Sequence, residues 1–159
     1  MCYKEVTAPP IPISVETTIP NITKYPILNI DEVPTGDAVH FNNLKELGFS
    51  YEGSSYAIVI KSSTELSDLC KNNDSIKQDD YDEDLFQEKA LVFLSLRTGS
   101  PAVKYVLDSL IKRNNELFIR TTKVLGDSDL CVVGSWKFLF EVKKSDIEIV
   151  VNFFKIKLK

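Results

Sequence analysis

Proline is the strongest constraint on this chain. Six of its seven prolines (Pro9, Pro10, Pro12, Pro20, Pro26 and Pro34) fall in the first 34 residues, and only Pro101 lies beyond. Each removes a backbone donor and fixes φ, so residues 9–34 are expected to form neither a helix nor a central strand. The residue before each proline is biased toward β or polyproline geometry. Yet the segment also carries Ile11, Ile13, Val15, Ile19, Ile22, Ile27, Leu28 and Ile30, richer in β-branched side chains than a solvated tether. Ile11, Ile13 and Val15 alternate and can share one face. The expectation is an extended arm over residues 1–37, docked in part on its own domain or on a neighbour, and a folded domain over residues 38–159.

From residue 38 onward strand patterns dominate. "VHFNNLKEL" fits either a helix turn or a ragged strand, and "YAIVIK" (56–61) is a compact β-branched run. Ser62 and Glu65 have capping-box spacing, followed by an i, i+3, i+4 stripe of Leu66, Leu69 and Cys70, which predicts a short helix. "DDYDEDLFQEK" predicts a second one. "ALVFLSLR" (90–97) is a continuous apolar run, the mark of a buried strand. "VKYVLDSLIKRNNELFIRTTKV" divides at Asn114-Asn115 into a hairpin, because asparagine tolerates the positive φ of a tight turn. Trp136, Phe138, Phe140 and Val142 alternate, as do Phe154, Ile156 and Leu158 against Lys155, Lys157 and Lys159. A lysine row on a terminal strand is expected to discourage edge pairing. The fold class expected is α+β, a mainly antiparallel sheet with two short helices on one side, preceded by the proline-rich arm. Its core is expected to rest on Ile58, Ile60, Phe93, Leu117, Trp136, Phe138 and Phe140.

Other features narrow the function. The 159 residues carry a net charge of −4, and nucleic-acid binders generally present a basic face, so no nucleic-acid partner is expected. No apolar run approaches the ~18 residues of a membrane span, and no signal-peptide core of ~7–15 apolar residues is present. Cys2, Cys70 and Cys131 are an odd set without C-x-x-C spacing, which excludes a disulfide framework and the usual zinc spacings. Cys70 and Cys131 read as buried thiols, with a bridge between them left open. His40 is the sole histidine, at the expected domain boundary, and it has no patterned nucleophile near it. P-loop, G-x-S-x-G and G-x-G-x-x-G motifs do not occur. No cofactor, metal or catalytic residue is expected. The densest charge cluster is Asp79, Asp80, Asp82, Glu83 and Asp84. It lacks the central glycine of a calcium loop. It reads first as a solvated loop favouring a helix start, with a weak calcium site or a docking surface for a basic partner as the functional alternatives.

These pieces follow a recognisable order. Ile60, Ser62, Glu65 and Leu66 match an "I-x-S-x-x-E-L" strand-to-helix step. Tyr81, Asp82, Glu83, Leu85 and Phe86 match a "Y-D-E-x-F-F" turn, and Leu91, Val92 and Phe93 the strand after it. Gly99 and Ser100 make a turn, and Trp136 and Leu139 match the start of "W-x-x-L-E" near the end, with Glu141 one residue later than that spacing. Over about residues 40–146 the chain resembles the small C-terminal domain of the PrcB-like family, bacterial cell-envelope lipoproteins whose founding example accompanies a surface protease. The family's glycine-rich turn is reduced here to Gly99-Ser100-Pro101. The resemblance implies an accessory or inhibitor-like role toward a surface protease or another envelope protein, without catalysis. It also gives Cys2 a meaning: a mature lipoprotein begins at the cysteine that receives the lipid, and Met1 would then be an added start. The expectation is therefore a non-catalytic binding module, lipid-anchored through Cys2 on the outer side of the bacterial cell membrane. The alternatives are a cytoplasmic protein in location and a small hydrolase with paired carboxylates in function.

Overall fold

The computed structural model describes residues 22–126 and 131–157. Cys2, the Ile11–Ile13–Val15 face, Leu158 and Lys159 lie outside these residues. Nine strands run in chain order: β1 (Lys24–Ile30), β2 (Asp37–Val39), β3 (Phe41–Ser50), β4 (Tyr56–Ile60), β5 (Lys89–Thr98), β6 (Val103–Arg113), β7 (Glu116–Leu125), β8 (Gly134–Lys143) and β9 (Asn152–Ile156). Three short helices accompany them: α1 (Ser63–Cys70) and α2 (Leu85–Glu88) between β4 and β5, and α3 (Lys144–Ile147) after β8. The strands form one sheet in the order β2-β6-β7-β9-β1-β4-β5-β8-β3. It is largely antiparallel, and the exceptions are the parallel pairs β1–β9 and β7–β9.

The sheet consists of two halves that share β1. Lys24–Pro26 pair with Ile58–Tyr56 of β4, and Ile27–Ile30 pair with Phe153–Ile156 of β9. Residues 24–30 are thus a central strand, which corrects the expectation that proline keeps this segment out of the sheet interior. Successive amides of a strand point to opposite sides. The Ile27 amide donates toward β4, to the Ser55 carbonyl at 3.1 Å, so the Pro26 nitrogen faces the other way, and there pairing with β9 begins only at Ile27. The missing N–H therefore forfeits no ladder bond. The sheet takes in residues on both sides of the expected boundary at 37/38.

The two ends of the sheet meet in one stretch of chain. β2 pairs with β6 through Asp37–Val39, and one residue later β3 begins to pair with β8. Only His40 separates them, so the architecture is near-barrel. β3 is the ragged strand of the two readings. Its register shifts between Asn42 and Lys45 and again between Glu46 and Gly48, where Asn43 has φ 53 and Gly48 φ 96. Such bulges bend a strand and raise its twist, as this turn from one half-sheet to the other requires.

Two cores result. Between the half-sheets lie Val92, Leu94 and Leu96 of β5, Leu117 and Ile119 of β7, Phe138, Phe140 and Val142 of β8, and Phe153 of β9. On the outer face of the β4–β5–β8 half, Ile58, Ile60, Leu91, Phe93 and Leu139 pack under Leu66 and Leu69 of α1, with Ile76, Tyr81 and Phe86. β5 is buried on both faces, which is why its sequence is continuously apolar rather than alternating. The seven expected core residues divide between the two layers, and Trp136 is half-buried at the edge of the first.

Local signals explain the short elements. The Glu65 amide donates to the Ser62 hydroxyl at 3.2 Å, and the Glu65 carboxylate accepts from the Lys61 amide at 2.6 Å, one residue earlier than a standard capping box. The β6–β7 turn has φ 56 at Asn114. α3 has no counterpart in the sequence pattern, and its Ile147 joins the core between the half-sheets. β9 is a correction: it is an interior strand, parallel to both neighbours, so its lysines guard no edge. Its inward face carries Phe153 and Lys155, and both are buried. Cys70 is half-buried, and burial pushes its thiol up. Cys131, expected to be buried, is exposed, because it precedes β8 and lies outside the packed strand.

Candidate functional site

A concavity sits where the chain passes from β2 to β3. It is an open groove of about 580 Å³, and among its lining residues are His40, Glu88, Lys89, Lys143, Asp146 and Glu148. His40 is exposed there. Lys143 ends β8, Asp146 belongs to α3, and Glu88 and Lys89 lie at the junction of α2 and β5. Lys144, which also lines the groove, donates to the Phe86 carbonyl at 3.0 Å and ties α3 to α2.

A buried carboxylate underlies this wall. The Glu141 side chain is 8% exposed and meets Lys89 at 3.2 Å. Asn43 donates to its other oxygen at 2.9 Å. Asn43 reaches it because its positive φ at the first β3 bulge turns the strand toward β8. A carboxylate taken out of water needs such partners, and here one is a charge and one an amide.

The acidic run adjoins the groove. A second hollow of about 320 Å³ is lined by Asp80, Asp82, Asp84, Leu85, Glu88 and Lys89, and it shares Glu88 and Lys89 with the first. Asp79 and Asp80 sit in the short 3-10 turn Gln78–Asp80, and Asp82, Glu83 and Asp84 lead into α2. All five are exposed. Asp84 occupies the N-cap position of α2 without a side-chain capping bond. Asp80 pairs with Lys45 at 3.0 Å. That hydrogen bond holds the Lys45 ammonium above its ordinary range, while its Nζ lies 4.8 Å from the centre of the Tyr81 ring. Among the described residues no three His, Cys, Asp or Glu side chains converge as metal ligands.

Charge density alone exposes the acidic run in the sequence. It does not expose the groove, because His40, Lys89 and Lys143 come from separated segments. The Asn43–Glu141 contact spans 98 positions. Only the alternation that puts Glu141 on the Leu139 face of β8 hints at its burial. No family model, curated protein or solved structure matches the chain.

Proposed function

We propose that this protein is a non-catalytic binding module that docks a partner protein along the two adjoining hollows from His40 to the acidic run. The observation that carries this reading is the pair of hollows itself. The hollow at His40 is open and lined in part by Lys143, and the adjoining hollow, which shares Glu88 and Lys89 with it, is lined by Asp82 and Asp84. Charge of both signs over a wide surface suits register and specificity toward a protein more than enclosure of a small molecule. In line with the PrcB-like resemblance, the partner is a surface protease or another envelope protein. The anchor is a lipid on Cys2, which holds the module at the bacterial cell envelope.

Charge reversal tests the reading. The full chain, Lys143→Glu, Asp82→Lys and the outer-face control Arg120→Glu are compared for capture of envelope proteins after crosslinking. Loss of the same captured species in both groove variants, with retention in the control, supports it. Equal capture by all four defeats it. Palmitate labelling of the native gene product, lost in Cys2→Ala, tests the anchor separately. Glu88, Asp146 and Glu148 share the groove, so a hydrolase with paired carboxylates would draw on them. Hydrolysis that disappears in Glu148→Gln would replace the binding reading.

A further inference from the structure

We propose that Lys123, Lys155 and Lys157 form a binding site for a phosphate-type oxyanion on the inward face of the β6–β7–β9 half-sheet. Alternation puts them on one face. On β7, Leu117 and Ile119 point into the core between the half-sheets, so Thr121 and Lys123 continue the same face toward solvent. On β9, Phe153 points inward, so Lys155 and, beyond the strand end, Lys157 follow it. Tyr105 of β6 lies opposite Lys123 in register and belongs to the same core.

Lys155 is the unusual member. Its residue is 8% exposed. Its ammonium lies 4.3 Å from the centre of the Tyr105 ring, and the Tyr105 hydroxyl is turned away to donate to the Arg97 carbonyl at 2.9 Å. Among the described residues no carboxylate pairs with Lys155; the ion pairs present there use Lys45, Lys71, Lys89, Arg113 and Lys137. The charges that act on it are those of Lys123 and Lys157. Burial, then those two like charges, push its ammonium down to about 8. A cation on a ring face gains modest attraction, but three ammonium groups with no carboxylate paired to them among the described residues are an unfavourable arrangement that an anion relieves. A phosphate oxyanion supplies up to two negative charges and several acceptors, and lysine binds it as a point charge. Binding should therefore draw a proton onto Lys155. The site shares no lining residue with the groove at His40, so its fate is independent of the docking reading.

The phosphate is either free in solution or carried by a lipid head group, and two arms separate these sources. In the first, the full chain is titrated with inorganic phosphate at constant ionic strength in chloride, and the Lys155 side-chain resonances are followed by NMR. The expected result is saturable binding, a titration midpoint of Lys155 moved above 8, and binding about tenfold or more weaker in Lys155→Met. Lys155→Arg should keep the binding and lose the proton uptake seen by calorimetry in buffers of different ionisation heat. In the second arm, vesicles of phosphatidylglycerol are compared with vesicles of phosphatidylcholine. Lys155-dependent binding to the first alone keeps the phosphate site and assigns it to a lipid head group. Thermal unfolding of Lys155→Met shows that the fold persists. If neither phosphate nor phosphatidylglycerol gives a response that Lys155→Met removes, or if chloride alone gives the same response, the proposal is overturned.

Discussion

The amide of Ile27 donates to the carbonyl of Ser55 at 3.1 Å, and this bond marks the point where β1 leaves one half-sheet for the other. Before it, Lys24–Pro26 complete the edge of β4; after it, Ile27–Ile30 complete the edge of β9. A segment that reads as a spacer thus closes the sheet.

Truncation should show this. A chain beginning at Ile22 keeps β1 and should unfold cooperatively. A chain beginning at Gly36 loses the buried Ile22 and Ile27 and leaves β4 and β9 as two unpaired edges, which invite association. It should aggregate or elute as a heterogeneous species on gel filtration, with a weakened near-ultraviolet spectrum. A well-folded monomer from residue 36 would show that β1 is dispensable.

The legible parts of the fold are those written in short periods. The Trp136–Phe138–Phe140 alternation, the Ser62 cap, the Asn114 turn and the apolar run of β5 each depend on neighbours within a few residues, and each stands in the structure as read. The central place of β1 is hidden because the proline rule counts a lost donor without knowing which side its acceptor would occupy. At Pro26 that side is not yet paired with β9. The parallel pairing of β9 is hidden because it joins residues 27–30 to 153–156, and alternation carries no information about partners. For the candidate site the pattern is the same. Asp79 to Asp84 stand out as a local run, whereas the His40 groove depends on a crossover that only the closed sheet creates.

Phe138 and Leu94 are register partners on β8 and β5, and both face the core between the half-sheets. Phe138→Ala should cost about 3–5 kcal/mol and Leu94→Ala about 2–5 kcal/mol. Because the two side chains share one environment, the double variant should depart from additivity by about 0.5–3 kcal/mol. Urea denaturation of the four proteins measures the coupling. An unchanged midpoint for Phe138→Ala would contradict its burial.

Asn43 combines a positive φ with a hydrogen bond to Glu141, and two substitutions separate these contributions. Asn43→Gly removes the bond but suits the backbone. Asn43→Ala removes the bond and adds the left-handed penalty of about 1 kcal/mol. Both should lower the melting temperature, with alanine the lower of the two. Equal melting temperatures would mean that the bulge relaxes when the side chain goes.

Lys155 makes stability depend on alkaline pH in a particular direction. Its pKa falls from 10.5 to about 8 on folding, through burial first and then Lys123 and Lys157. Below pH 8 both states hold the proton, and the fold carries the full cost of the buried charge. Between about pH 8 and 10.5 the folded protein has released it while the unfolded chain still binds it, so stability rises with pH. The shift corresponds to about 3 kcal/mol in total. Cys70, Tyr56, Tyr81 and Tyr105 oppose this in the upper part of the window: burial raises each pKa, so the contribution of Cys70 is lost from about pH 9 upward and those of the tyrosines from about pH 10 upward. Urea midpoints should therefore climb from pH 7 to 9 for the natural sequence while those of Lys155→Met stay nearly level, and by pH 10 the midpoint of Lys155→Met should fall. At pH 7 the methionine variant should be the more stable of the two, because it buries the same stem without the charge. A flat profile for the natural sequence would show that the Lys155 ammonium is solvated in the fold.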